Sequence, residues 1–172
     1  MRREGNVLTV TVIFCIIAVI CCIGWVLFEH LGKSLGGDYE FDLDGEVNIS
    51  EKLDMGEMSL VPGDSESYKV MLNSGEDGIY SISLEFLEEL DGGLSRFVKV
   101  SAELDGIQVA SGTLGELISS KDALKIQARI PGGKTAELTV TFSMPEDVGS
   151  EAMGSYSDLS MLIRLMSVRT GE

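Results

Sequence analysis

Past residue 28 the chain has no cysteine: its three, Cys15, Cys21 and Cys22, all lie in the first 28 residues. The C-terminal part therefore has no disulfide framework and must be held by an apolar core. For an exported domain that points to a bacterial rather than a eukaryotic extracellular setting. Histidine is nearly as scarce. His30 is the single one in the sequence, which excludes an H-E-x-x-H zinc site with its two imidazoles and water-activating glutamate. No S-x-x-K dyad occurs, which removes a serine activated by lysine in that way. Gly32-Lys33-Ser34-Leu35-Gly36 matches G-x-S-x-G, but that motif needs a strand before it and a helix after it. Here it falls in a linker. Asp42-Leu43-Asp44-Gly45-Glu46 offers the oxygen ligands calcium favours, yet the glycine comes too early for an EF-hand and no glutamate closes the loop. We read these as strand residues facing solvent, and assign no catalytic, cofactor-binding or metal-binding residue.

Positive charge is also in short supply, with 13 Lys and Arg against 28 Asp and Glu. Setting aside Arg2, Arg3 and Glu4, eleven basic and 27 acidic residues remain, a formal charge of −16. A field of that sign repels nucleic acid and anionic headgroups and keeps a surface domain soluble. Nucleic acid is therefore not an expected partner.

What is present first is an uncharged apolar run from Val7 to Phe28. As a helix these 22 residues reach roughly 33 Å at 1.5 Å per residue, enough for a hydrocarbon core of about 30 Å. Arg2 and Arg3 precede the run and acidic sequence follows it, so the N-terminus is expected inside and the rest outside. The run is longer than a signal-peptide core and ends in Trp25-Val26-Leu27-Phe28 without an Ala-x-Ala pattern. We therefore expect an uncleaved anchor over residues 1–28, with the lipid bilayer as its partner. A tether follows over 29–37, then an extracellular domain over 38–172. The alternative is a leader that is cleaved, with the domain secreted.

Beyond the tether the apolar period is two. Phe41, Leu43, Val47 and Ile49 share one face of an expected strand, with Glu40, Asp42, Asp44 and Glu46 on the other. Alternation recurs at 67–72, 79–86, 97–104, 107–110, 124–130, 136–142 and 159–168. Asp105-Gly106 predicts a type I′ hairpin turn, and Pro131-Gly132-Gly133-Lys134 predicts a link between a second strand pair. Thr113–Ser119 reads as a short helical connector. About eight short strands separated by turns predict an all-β antiparallel sandwich or jelly roll, preceded by one transmembrane helix.

The order of short motifs resembles the TasA/camelysin family of Gram-positive surface and biofilm-matrix proteins, across nearly the whole chain. The residues that carry it are Gly24-x-x-x-Phe28-Glu29, the Asp42-Leu43-Asp44 strand, Leu60-Val61-Pro62-Gly63-Asp64, Asn73-Ser74-Gly75, Leu104-Asp105-Gly106 and Gly112-Thr113-Leu114. Ile130-Pro131-Gly132-Gly133 before Leu138–Phe142, Pro145-Glu146-Asp147 and Gly154-Ser155-Tyr156-Ser157 complete it. The resemblance implies a jelly-roll domain and a structural, non-catalytic role as a matrix-fibre component or its anchored accessory. It also implies self-association or a matrix-protein partner, through an N-terminal strand that here corresponds to 38–49. Phe41, Leu43, Val47 and Ile49 are the candidate assembly residues. Family leaders carry small residues before the Phe-acid pair, where this chain has Trp25, Val26 and Leu27, and a peptidase needing small residues is expected to cut it poorly. The alternatives are a camelysin-like surface metalloendopeptidase, which the single histidine opposes, and a membrane-tethered binding module that does not assemble.

Overall fold

The computed structural model describes residues 38–120 and 123–168. The expected membrane span Val7–Phe28, His30 and the Gly32–Gly36 motif lie outside the described residues. Among the described residues no helix is long and apolar enough to cross a membrane.

Among the described residues, nine strands form two sheets. They are β1 Asp38–Asp42, β2 Asn48–Met58, β3 Ser65–Ser74, β4 Gly78–Gly92, β5 Lys99–Leu104, β6 Ile107–Thr113, β7 Leu124–Ile130, β8 Lys134–Ser143 and β9 Tyr156–Ser167, with one short helix, α1, over Leu114–Ser120. One sheet has the order β1-β3-β8-β5-β6 and the other β2-β9-β4-β7. The molecule is a β-sandwich, and the alternation read from the sequence decides which residues fill it. Tyr68, Val70 and Leu72 of β3, Tyr80, Ile82, Leu84 and Phe86 of β4, and Met161, Ile163 and Leu165 of β9 are all buried. Period-2 side chains can reach only one face of a strand, so each sheet contributes one apolar face and the two meet. Phe142 of β8 is at the middle of that contact. Its ring packs edge-on against Tyr68 in its own sheet (5.8 Å between centroids) and against Phe86 in the opposite sheet (5.6 Å).

The Asp105-Gly106 turn has the predicted form, both residues at positive φ (50° and 77°), with Leu104 opposite Ile107. The sequence expectation fails in four places. The stretch expected as one strand, Phe41–Ile49, is divided: β1 ends at Asp42 in one sheet and β2 begins at Asn48 in the other. Gly45, at φ 68°, lies in the crossing. Leu43 and Val47 fill the interior from the loop rather than from a strand. Second, β1 pairs with β3 in parallel, the exception among antiparallel neighbours. Third, Pro131–Gly133 does not close a hairpin, because β7 bonds to β4 while β8 bonds to β3 and β5; the turn carries the chain from one sheet to the other. Fourth, β2 runs through Ser50–Met58, where only Leu53 and Met58 are buried. That segment has no apolar alternation, and its strand form comes from eight residues' pairing with β9, a tertiary effect that outweighs local pattern.

One polar contact at the core involves a carboxyl group. Tyr68 donates its hydroxyl proton to Glu66 Oε1 (2.7 Å). Burial pushes the Glu66 carboxyl above its ordinary value, a rise that the Tyr68 hydrogen bond opposes. The same burial, with Glu66 beside it, holds the Tyr68 phenol far above its ordinary value.

Two outcomes follow from the core. Phe142→Ala removes a ring with contacts in both sheets and is expected to cost about 3–5 kcal/mol, read as a lower denaturant midpoint at unchanged slope. For Glu66 the folded carboxyl binds its proton more tightly than the unfolded one. Stability therefore falls as pH rises from the unfolded value through the raised folded one, and stays lower above it. Glu66→Gln keeps an acceptor for Tyr68, so it is expected to raise Tm at neutral pH and leave Tm unchanged where both carboxyls are protonated. An unchanged Tm at neutral pH would refute this account of Glu66.

Candidate functional site: the β1 edge

The four candidate assembly residues are split by the crossing between sheets. Phe41 is buried in β1, Leu43 and Val47 are buried in the loop, and Ile49 packs partly buried against the core from β2. They belong to one hydrophobic interior but not to one strand face. What the region presents to solvent is acidic: Asp38, Glu40 and Asp42 are exposed at alternate positions of β1.

β1 is an edge strand held on one side. Its register runs from Asp38 opposite Lys69 to Asp42 opposite Asn73, and Leu43 N–H continues the ladder to Asn73 O (2.7 Å). Asn73 explains how two carboxylates are tolerated on one short strand. Its amide nitrogen donates to Glu40 Oε1 (2.6 Å) and Asp42 Oδ1 (3.1 Å), and its amide oxygen accepts from Thr135 Oγ1 (2.7 Å). Both amide protons and one acceptor position are in use, which ties β1 through β3 to β8. Tyr39 reaches the other way, its hydroxyl donating to Asp54 O of β2 (3.2 Å). Burial, and Asp54 beside it, raise that phenol's pKa.

The end of the sandwich where β1 stops is tied by polar side chains from two loops and two strands. Asp44 Oδ1 accepts from Gly75 N–H (3.0 Å), and Asp77 Oδ1 accepts from Gly132 N–H (2.6 Å). Ser74 donates to Glu76 O (2.6 Å), and its Oγ lies 2.8 Å from the Tyr80 hydroxyl, which also reaches Leu43 O (3.2 Å). Two hollows of about 270 Å³ open here. One is rimmed by Glu46, Glu76, Asp77 and Ser167, the other by Asp42, Asp44, Asn73 and Lys134. They are open and polar-rimmed, unlike the enclosed apolar clefts that bury small ligands. The carboxylates of Asp42 and Asp44 bond to different donors, and among the described residues no group of three or more His, Cys, Asp or Glu is placed to hold a metal ion. Asp91 accepts from Gly93 N–H two residues on (2.7 Å), a local turn contact.

No protein-family model and no curated protein matches the chain. Three of the solved structures to which the chain is similar are these. The periplasmic g-type lysozyme inhibitor PliG of Aeromonas hydrophila is 11% identical, with 76% of this chain and 100% of that one covered and a TM-score of 0.40. A family 35 carbohydrate-binding module from an environmental isolate is 10% identical over 66% and 76%, with a TM-score of 0.36. The pre-peptidase C-terminal domain of collagenase from Bacillus anthracis is 16% identical over 74% and 95%, also at 0.36. At these values they say nothing of what this chain does.

Sequence reasoning named Asn73 only within the Asn73-Ser74-Gly75 motif and missed that it bridges the β1 acids. Asn73 falls at an ordinary outward position of the alternation that buries Tyr68, Val70, Leu72 and Ser74, so no local signal marks that role. Asn73→Asp places a third carboxylate beside Glu40 and Asp42. Amide hydrogen exchange over 39–43 is expected to speed up roughly tenfold, the effect of losing about 1–2 kcal/mol of local hydrogen bonding, and more at low salt. Exchange unchanged from wild type would show that the amide bridge does not hold β1.

Proposed function

We propose that this chain is a single-pass surface protein of a Gram-positive-type cell, anchored by Val7–Phe28, whose outer domain takes part in an extracellular matrix fibre as a TasA-like component or anchored accessory. The reading is structural and assigns no chemistry to the domain. The finer fold is a jelly roll: the interleaved orders β2-β9-β4-β7 and β3-β8-β5-β6 support two nested Greek keys of eight strands. The observation that carries the reading is β1. It is a ninth strand outside that set of eight, it is the first after the expected tether, and it bonds to one neighbour only. A strand in that position leaves a row of backbone donors and acceptors for another chain.

The test is the native N-terminus and cell fraction of the full chain expressed in a Gram-positive host, with protease added outside intact cells. The expected result is a chain that begins at Met1, stays with the membrane and loses its domain to the external protease. A chain beginning between Phe28 and Asp38 in the medium replaces the anchor with a secreted subunit. A domain protected inside the cell overturns the surface reading.

A further inference from the structure

We propose that the acidic edge β1 of one copy of this chain pairs with the basic edge β7 of the next, a head-to-tail contact between identical chains. The proposal rests on the assembly reading above and names its two surfaces.

Both strands are edges, β1 bonded to β3 alone and β7 to β4 alone. β7 alternates strictly between buried and exposed side chains, and on β1 three exposed acids alternate with Tyr39, partly buried, and Phe41, buried. On β7 the exposed residues are Lys125, Gln127 and Arg129, with Leu124, Ile126, Ala128 and Ile130 buried. On β1 they are Asp38, Glu40 and Asp42. No base lies on β1 and no acid on β7, in a chain where acids outnumber bases by two to one. With Glu40 set opposite Gln127, Asp38 and Asp42 fall opposite the two cations whether the strands run parallel or antiparallel. That match follows from the shared period of two.

The cations of β7 are also available. Lys52 pairs with Glu89, Lys69 with Glu137 (3.0 Å) and Arg164 with Glu85 (2.9 Å). Among the described residues no carboxylate lies within ion-pair distance of Lys125 or Arg129. Like charges directly opposite disfavour β1 against β1 and β7 against β7. The combination left is the mixed one. Because the two surfaces differ, the contact does not close on itself as a two-fold dimer does; it repeats into a ring or a filament.

The test is sedimentation of the full chain in non-ionic detergent at about 50 mM and about 500 mM salt, conditions that bracket weak and strong screening. The probe is a charge swap. Wild type is expected to associate at low salt and roughly tenfold more weakly at high salt. The double variants K125E/R129E and D38K/D42K are each expected to sediment as monomers. All four positions are exposed, and although D38K/D42K gives up the Asn73 bond to Asp42 it keeps the one to Glu40, so both variants are expected to keep the wild-type circular dichroism, which is measured alongside. Mixed one to one, the variants are expected to associate again, since each then meets an edge of opposite sign. The restoration cannot come from misfolded protein. Association that survives in both variants, or a mixture that stays monomeric, overturns the β1–β7 contact and leaves the assembly reading standing. Wild type that is monomeric at both salts overturns the two together.

Discussion

The contact on which the rest of the structure depends is the meeting of Phe142 with Tyr68 and Phe86 between the sheets. The described domain has no cysteine, so no disulfide ties one sheet to the other. Their separation and orientation are set by side chains that interdigitate at crystal-like density. Phe142 touches an aromatic ring in each sheet, and the alternating residues of β3, β4, β8 and β9 radiate from it. The same requirement explains where the polar atoms are. Tyr68 brings a hydroxyl into the core, where Met55 O (3.3 Å) and the partly buried Glu66 carboxyl accept from it, because a buried polar group without a partner is costly.

Two packed sheets still need their open ends tied, and here the end near β1 is tied by polar side chains rather than by apolar ones. Asp44, Ser74, Asp77 and Tyr80 each join segments that belong to different strands. Charged groups used in this way cap backbone N–H groups that no ladder reaches. Several of the acids that make the chain so negative are therefore structural. The field they create at this end is a consequence of how the loops are held.

The alternation of β3, β4, β7, β8 and β9 was legible, because a half-buried strand writes its face into the sequence at every second residue. The Asp105-Gly106 turn was legible for an equally local reason: both residues must take positive φ, and that pair does so readily. What was not legible is non-local. Phe41-Asp-Leu-Asp-Gly-Glu-Val-Asn-Ile49 has the same alternation on both sides of a crossing, since the loop residues Leu43 and Val47 fill the same interior as a strand would. Only Gly45 hinted at the break. Pro131-Gly132-Gly133 is a good turn in either setting, and whether it joins neighbours in one sheet or strands in two depends on partners far away in sequence. β2 over 50–58 carries almost no pattern, and exists because β9 supplies its ladder. The bridging role of Asn73 is invisible for the same reason, as it requires β1 and β8 to lie on either side of β3.

The charges on the two edges bear on how such a domain avoids aggregation. An edge strand exposes its backbone to any other strand, and a sandwich has four edges. Lysine, arginine and carboxylates on the exposed positions discourage indiscriminate pairing at little cost to the fold, since surface charges contribute little to stability. If every edge carried the same sign, all pairing would be suppressed and the excess of negative charge would keep copies apart. With acid concentrated on β1 and base on β7, homotypic pairing is suppressed at each edge while one heterotypic pairing is left open. The screening length sets its reach at about 10 Å at moderate salt, so the net negative charge opposes approach at a distance and the matched edges act only on contact. Repulsion between whole molecules and attraction between two particular strands are then compatible. In the proposed contact, their balance favours growth by registered addition over disordered clumping.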